Sequence, residues 1–150
     1  PDVHFVVAGW QSPALVSAVP KDRLHAVPFR DMASYPMGYQ VDIGCCAVAD
    51  TAFNRSRSPI KAWEYALAGA AVVGSSTVYG PCLDATGWIQ TAMTADEWEF
   101  GLAYLIEAAD NRCLVNDLVG HVATEHSLTA NLHCWTDAYR TIRETAGVTA

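Results

Sequence analysis

A polar stretch at residues 49–64 holds the side chains best suited to binding chemistry. Arg55 and Arg57 lie in its irregular first part, and Ser58-Pro59 is typical of a helix start. The first amides of a helix lack intrahelical partners, and the helix dipole places about half a positive charge there. Guanidinium groups beside such amides suit a diphosphate, because their forked donors match phosphate oxygens. The stretch therefore predicts an anion site.

Two charged residues follow on one face of the predicted helix. Lys61 comes three residues after Ser58, and Glu64 comes three residues after Lys61. An ammonium group can neutralise phosphate charge, and a carboxylate one turn further on can accept hydrogen bonds from the vicinal hydroxyls of a sugar. The order of these groups along the helix suits a nucleotide sugar.

Two further candidate ligands complete the predicted site, Asn54 in the same loop and Tyr79 in the segment that follows the fourth predicted strand. The alternative is an ordinary surface, with the helix charges paired in solvent and both arginines serving as loop charges. Asn54 also begins a glycosylation sequon, but a chain in the cytoplasm does not meet that machinery.

An alternation of strands and helices must position these residues. Short apolar runs predict the strands, and capped amphipathic segments predict the helices. The predicted strands are residues 3–8, 23–27, 41–48, 70–73 and 87–91, and the predicted helices are residues 14–19, 58–68, 95–109, 111–124 and 127–145. Near-continuous apolar strands between helices indicate parallel βαβ units. We therefore expect a single α/β domain over residues 1–150, with a Rossmann-like, open, mostly parallel twisted sheet, helices on both faces and C-terminal helices.

Local signals define several helix ends. Gly69 is placed to end the helix that begins at Ser58, and Thr94 with Glu97 fits a capping box at the start of the next helix. One apolar face of the first of these helices is expected to pack on the sheet, namely Ile60, Trp63, Ala66 and Leu67.

Composition restricts the class of protein. The chain has 150 residues, of which 51% are hydrophobic, so it can bury a sizeable core. The net charge of −7 argues against a nucleic-acid surface. No apolar stretch reaches the roughly 18 residues of a transmembrane helix. Five cysteines without CxxC spacing indicate neither a disulfide framework nor a zinc site, and we predict a cytoplasmic location.

Three segments of this chain resemble a known family. Residues 58–69, SPIKAWEYALAG, and residues 70–75, AAVVGS, resemble the donor-binding segment of family-4-like glycosyltransferases of the GT-B fold. Residues 42–49, DIGCCAVA, resemble the strand that precedes it. The resemblance implies that the chain is the C-terminal, donor-binding domain of a two-domain enzyme. Its partners would be a nucleotide-sugar substrate and a missing N-terminal domain, with no further cofactor and no metal.

The resemblance also implies roles for individual residues. Glu64 matches the glutamate that binds the hydroxyls of the donor, while Lys61, Arg55 and the amides near Ser58 match the phosphate-binding groups. A second glutamate, common in the family eight residues earlier, is Ser56 here. The alternative function is a non-catalytic nucleotide-binding or regulatory module on the same fold. The donor sugar, its base, the acceptor and the stereochemical outcome stay open.

Overall fold

The structure is a computed structural model that describes residues 2–9, 11–28, 40–82, 89–108 and 112–147. The strands are β1 (Phe5–Ala8), β2 (Leu24–Val27), β3 (Ile43–Cys46), β4 (Ala71–Ser75) and β5 (Ile89–Ala92). The helices are α1 (Pro13–Ala18), α2 (Ala52–Arg55), α3 (Ile60–Leu67), α4 (Ser76–Tyr79), α5 (Ala95–Ala108), α6 (Arg112–His121) and α7 (Leu132–Thr145). Single turns of 3-10 helix lie at Lys21–Arg23 and Gly80–Cys82, and a π-helical turn lies at Val122–His126.

Every strand pair that the structure describes is parallel, which confirms the α/β class and the open, Rossmann-like arrangement. β1 pairs with β2, and β3, β4 and β5 form a second sheet in that order. The two sheets therefore appear as separate units among the described residues, where the sequence suggested one. Parallel pairing requires a crossover between consecutive strands, and α3 provides the one from β3 to β4.

The centre of the core is β4, in which all five residues are buried. Such a strand has apolar neighbours on both faces, as the continuous run of small and β-branched residues indicated. The largest fully buried side chains come from two strands and two helices: Val72, Val73, Ile89, Leu105 and Leu118. The three-stranded sheet with α3, α5 and α6 is thus the rigid frame of the candidate site.

The face of α3 that packs on the sheet matches the predicted one only in part: Ala66 is buried and Trp63 packs against the core, as predicted. Ala62 and Ala66 are fully buried, whereas Ile60 is 54% exposed and Leu67 is 46% exposed. The prediction was therefore wrong for Ile60 and Leu67. The physical reason is close approach: the two alanines allow the helix to lie near the strands, and larger side chains on the sheet-facing side would hold it away.

Gly44 shows how close this approach is. A Cβ atom at Gly44 would lie 2.2 Å from Cγ of Tyr65, a side chain of α3. The aromatic ring therefore occupies the space above β3 where another residue would carry its side chain. This contact fixes the distance of α3 from β3.

The helix signals at Gly69, Thr94 and Glu97 are confirmed. In contrast, α3 begins at Ile60 rather than at Ser58, with Pro59 at its N-cap and no side-chain cap hydrogen bond. Gly69 has φ +81°, and the end of α3 is closed by hydrogen bonds from Gly69 N to Ala66 O at 2.9 Å and from Ala70 N to Tyr65 O at 3.0 Å. At the start of α5, the Glu97 carboxylate accepts from Thr94 N at 3.0 Å, and Thr94 Oγ1 accepts from Glu97 N at 3.3 Å.

Two short helices lie where the sequence indicated irregular structure. α2 falls within residues 49–57 and α4 within residues 74–80, both at the carboxyl ends of strands. Each has four residues, too few to show a helical repeat of apolar positions. α2 has a local cap, since Thr51 Oγ1 accepts a hydrogen bond from Asn54 N at 3.1 Å at its start, whereas α4 has no side-chain cap hydrogen bond.

The last helix, α7, carries a row of exposed apolar side chains. These are Leu132 (57% exposed), Trp135 (57%), Tyr139 (64%) and Ile142 (62%). Their spacing of three and four residues places them on one face of the helix. Among the described helices, none is both long enough and apolar enough to cross a membrane.

Candidate functional site

The candidate site lies beyond the carboxyl ends of β3, β4 and β5, the edge at which open α/β sheets bind ligands. The connection from β3 to α3, residues 47–59, supplies most of its polar groups. The turn after β4 and the first residues after β5 supply the others. We call this region the carboxyl edge.

Lys61 and Glu64 form an ion pair on α3, with Nζ of Lys61 2.7 Å from Oε2 of Glu64. The predicted common face of the helix is thereby confirmed. The two side chains are 44% and 22% exposed, so the pair is only half in solvent. Each charge therefore has an oriented partner.

Cys46, the last residue of β3, lies beside this pair. Burial raises the pKa of the Cys46 thiol to about 11, and a hydrogen bond with Tyr79 opposes the rise. The charges of Lys61 and Glu64 also act on the thiol, in opposite directions. Lys61 lies in the first turn of α3, the end of the helix that follows β3 along the chain.

Tyr79 forms a wall of the carboxyl edge. Its side chain is 4% exposed, and a Cβ atom at Gly74 would lie 2.5 Å from the Tyr79 ring. The absence of a side chain at Gly74 thus lets the ring lie flat against the end of β4. The predicted role of Tyr79 in binding a donor stays a prediction, and its hydroxyl bonds with the Cys46 thiol.

Arg55 is held by Asp50 through two hydrogen bonds. Nε donates to Oδ1 and Nη2 donates to Oδ2, each at 2.8 Å. Arg55 is 63% exposed and Asp50 is 41% exposed. The guanidinium keeps further N–H donors beyond these two, so the pair fixes its direction without using all of its capacity.

A chain of polar contacts joins the ends of the three strands. Oγ1 of Thr77, in α4, lies 3.4 Å from Oδ1 of Asp50 and 3.6 Å from Sδ of Met93. Asp50 follows β3, Thr77 follows β4 and Met93 follows β5. The three segments of the carboxyl edge are therefore tied to one another.

The remaining predicted ligands lie in the same connection. Asn54 donates from Nδ2 to Ala49 O at 2.7 Å, which uses its amide to stabilise the loop. Ser58 is exposed and lies two residues before α3 begins. Arg57 is also exposed. The structure thus brings Lys61 and Glu64 together directly, and places Arg55, Asn54 and Ser58 on the connection that leads to them.

Sequence analysis missed three residues of the carboxyl edge: Asp50, Thr77 and Met93. A usable signal existed for Asp50, because an acidic residue directly after an apolar strand lies at the ligand-binding edge. No signal existed for the contact of Thr77 with Asp50. It joins residues 27 positions apart in segments without periodicity.

Two other features involve residues that are not among the proposed ligands. An open cavity of about 300 Å³ beside β5 and α5 is lined by Gln90, Thr91, Asp96, Glu97, Phe100 and Gly101. Its acidic rim does not suit an anion. His126 stacks on Trp63 with ring centroids 4.0 Å apart. Within the described part of the chain, no group of three or more His, Cys, Asp or Glu side chains could hold a metal ion.

Comparisons with models of known families, with curated proteins and with solved structures find no match to this chain. The family resemblance therefore rests on the motifs at residues 42–75, and a function has to be argued from the carboxyl edge itself.

Proposed function

We propose that this chain binds a nucleoside-diphosphate sugar at the carboxyl edge, as the donor half of a two-domain glycosyltransferase. The observation that carries the proposal is the half-buried ion pair of Lys61 and Glu64, 2.7 Å apart beside the end of β3. A cation and a hydroxyl acceptor are thus adjacent at the edge where α/β sheets bind nucleotides.

The phosphate end of the ligand is assigned to the start of α3. Lys61 lies in the first turn of that eight-residue helix, where the dipole favours negative charge. Arg55 adds a second cation, whose guanidinium is held in one direction by Asp50. Positive groups of this kind stabilise the charge that develops on a departing diphosphate, without a proton transfer from the protein.

The sugar end is assigned to Glu64. A carboxylate accepts hydrogen bonds from two neighbouring hydroxyls, and its partner Lys61 orients it. The acceptor-binding groups would come from the N-terminal domain of the complete enzyme. We therefore expect binding of the donor by this chain, and no sugar transfer by it alone.

Isothermal titration calorimetry with UDP, GDP and ADP, and with their glucose conjugates, tests the proposal. We expect the wild type to bind at least one nucleotide, Lys61→Ala to weaken binding of nucleotide and conjugate alike, and Glu64→Gln to weaken the conjugate more. Loss of a hydrogen bond to a charged group costs about 1.5–3 kcal/mol, or roughly 10- to 150-fold in affinity.

Arg140→Ala is the matched control. Arg140 and Asp137 also form an ion pair three residues apart at 2.8 Å, but on α7. This variant should bind as the wild type does. Absence of nucleotide binding by the wild type, or equal binding by all three variants, would remove the proposed site. Nucleotide binding without any response to Glu64→Gln would favour a non-catalytic nucleotide-binding module.

A further inference from the structure

Phe53 is an aromatic side chain that the fold leaves in solvent. It is 76% exposed, the highest value among the large apolar side chains of the described residues. It lies in α2, within the β3–α3 connection of the carboxyl edge. A phenyl ring left in water forgoes most of the stabilisation that burial would provide. Single exposed apolar residues are common, so its surroundings decide whether it has a role.

The backbone around Phe53 is braced on both sides. Before it, Thr51 Oγ1 accepts from Asn54 N at 3.1 Å, and Asn54 Nδ2 donates to Ala49 O at 2.7 Å. After it, Arg55 donates two hydrogen bonds of 2.8 Å to Asp50. The ring therefore projects from a turn whose backbone is held by the side chains of Thr51, Asn54 and Arg55. A braced turn loses little backbone freedom when a ligand binds.

The braced turn is also fixed to the rest of the carboxyl edge. Asp50 contacts Thr77 Oγ1 at 3.4 Å, which ties the turn to α4 and so to the end of β4. Downstream, the same connection leads through Ser58 to Lys61. Phe53 thus precedes Lys61 on one continuous segment, and it shares the four-residue helix α2 with Arg55, the second proposed phosphate ligand.

We propose that Phe53 is the stacking platform for the nucleobase of the bound nucleotide. The proposal rests on the proposed function, because the diphosphate places the base. A planar base has an apolar face that stacks on an aromatic ring whatever its edge groups are, and this suits a ring with solvent on its open side. Phe53 would then contribute affinity for the base and none for the phosphates.

Titration with UDP and with inorganic pyrophosphate separates these two contributions. We expect Phe53→Ala to weaken UDP binding by about 5- to 150-fold, the usual range for loss of one base stack. Pyrophosphate binding should be unchanged, and Phe53→Trp should retain UDP binding. Phe100→Ala, which removes a ring 70% exposed on α5, is the matched control and should bind both ligands as the wild type does.

The outcomes distinguish this inference from the proposed function. If the wild type binds UDP and Phe53→Ala binds it equally well, the stacking role is overturned and the donor site stands. If the wild type binds neither UDP nor pyrophosphate, the donor site itself fails. A loss of saccharide binding in Phe53→Ala with unchanged UDP affinity also overturns the base assignment. Circular dichroism and the Tm of each variant exclude loss of folding as the cause.

Discussion

The guanidinium of Arg55 meets the carboxylate of Asp50 edge to edge, with Nε and Nη2 each 2.8 Å from one carboxylate oxygen. Planar pairing of this kind fixes the direction of both groups. Because Asp50 also contacts Thr77, the pair links the β3–α3 connection to α4. Arg55, which the sequence proposed as a phosphate ligand, therefore also has Asp50 as a partner within the fold.

The first prediction concerns the titration of Asp50. Its hydrogen bonds from Arg55 hold the pKa of the carboxyl below its ordinary value of 3.8. The contact therefore stabilises the turn above that value and is lost as the pH falls through the lowered pKa. Arg55→Gln should return the pKa towards 3.8, as measured by carboxyl carbon NMR. The same pKa in both proteins would contradict the pairing.

The second prediction concerns Gly44. Gly44→Ala places a methyl group within 2.2–2.6 Å of three carbons of the Tyr65 ring. The helix must move away, so we expect a loss of about 1–3 kcal/mol in the free energy of unfolding, measured by urea denaturation. Gly120→Ala is the control, because a Cβ atom there meets nothing within 4 Å and alanine favours a helix. Equal stability of the two variants would show that Tyr65 does not pack on β3 in this way.

The third prediction concerns the turn after α3. Gly69 has φ +81°, a conformation that side chains disfavour, although a Cβ atom there meets nothing within 4 Å. Gly69→Ala should therefore cost about 1 kcal/mol from backbone strain alone. Gly69→Asn should cost less, since asparagine tolerates this region better. Thermal unfolding measures both, and a stabilised Gly69→Ala would refute the helix end described here.

The fourth prediction concerns the buried thiol at the end of β3. Burial raises the pKa of Cys46 from 9.0 to about 11. Because the thiol stays protonated to a higher pH in the folded chain than in the unfolded chain, its contribution to the free energy of unfolding is complete below pH 9.0. That contribution is lost as the pH rises towards 11. The free energy of unfolding of Cys46→Ala should therefore decline less between these pH values than that of the wild type. Parallel declines would indicate that solvent reaches the thiol.

Several elements could be predicted from the sequence because their causes are local. Gly69 ends α3, and Thr94 with Glu97 caps α5, since each involves residues within one or two turns of chain. Lys61 and Glu64 share a face because helical spacing alone places them there. The parallel α/β class followed from apolar runs alternating with helices, a pattern that the sequence displays directly.

The carboxyl edge could be predicted only in part. The sequence indicated that residues 54–64 lie at a strand end, and it proposed Arg55 and Lys61 as cations. It did not indicate that Asp50 holds Arg55, because the pair spans a loop without regular geometry. The four residues of α2, and the exposure of Phe53 within it, likewise depend on contacts of the folded loop.

The sequence by itself determined the order of the five strands and the longer helices, the turn at Gly69, the cap of α5 and the face shared by Lys61 and Glu64. Each of these depends on neighbours within a few residues. Only the tertiary structure decided that alanines rather than Ile60 and Leu67 meet the sheet, and that Asp50, Thr77 and Met93 join three strand ends. The first of these depends on how closely α3 approaches β3, where the Tyr65 ring packs over Gly44. Packing between distant segments is a property of shape in three dimensions, and no periodicity along the chain encodes it.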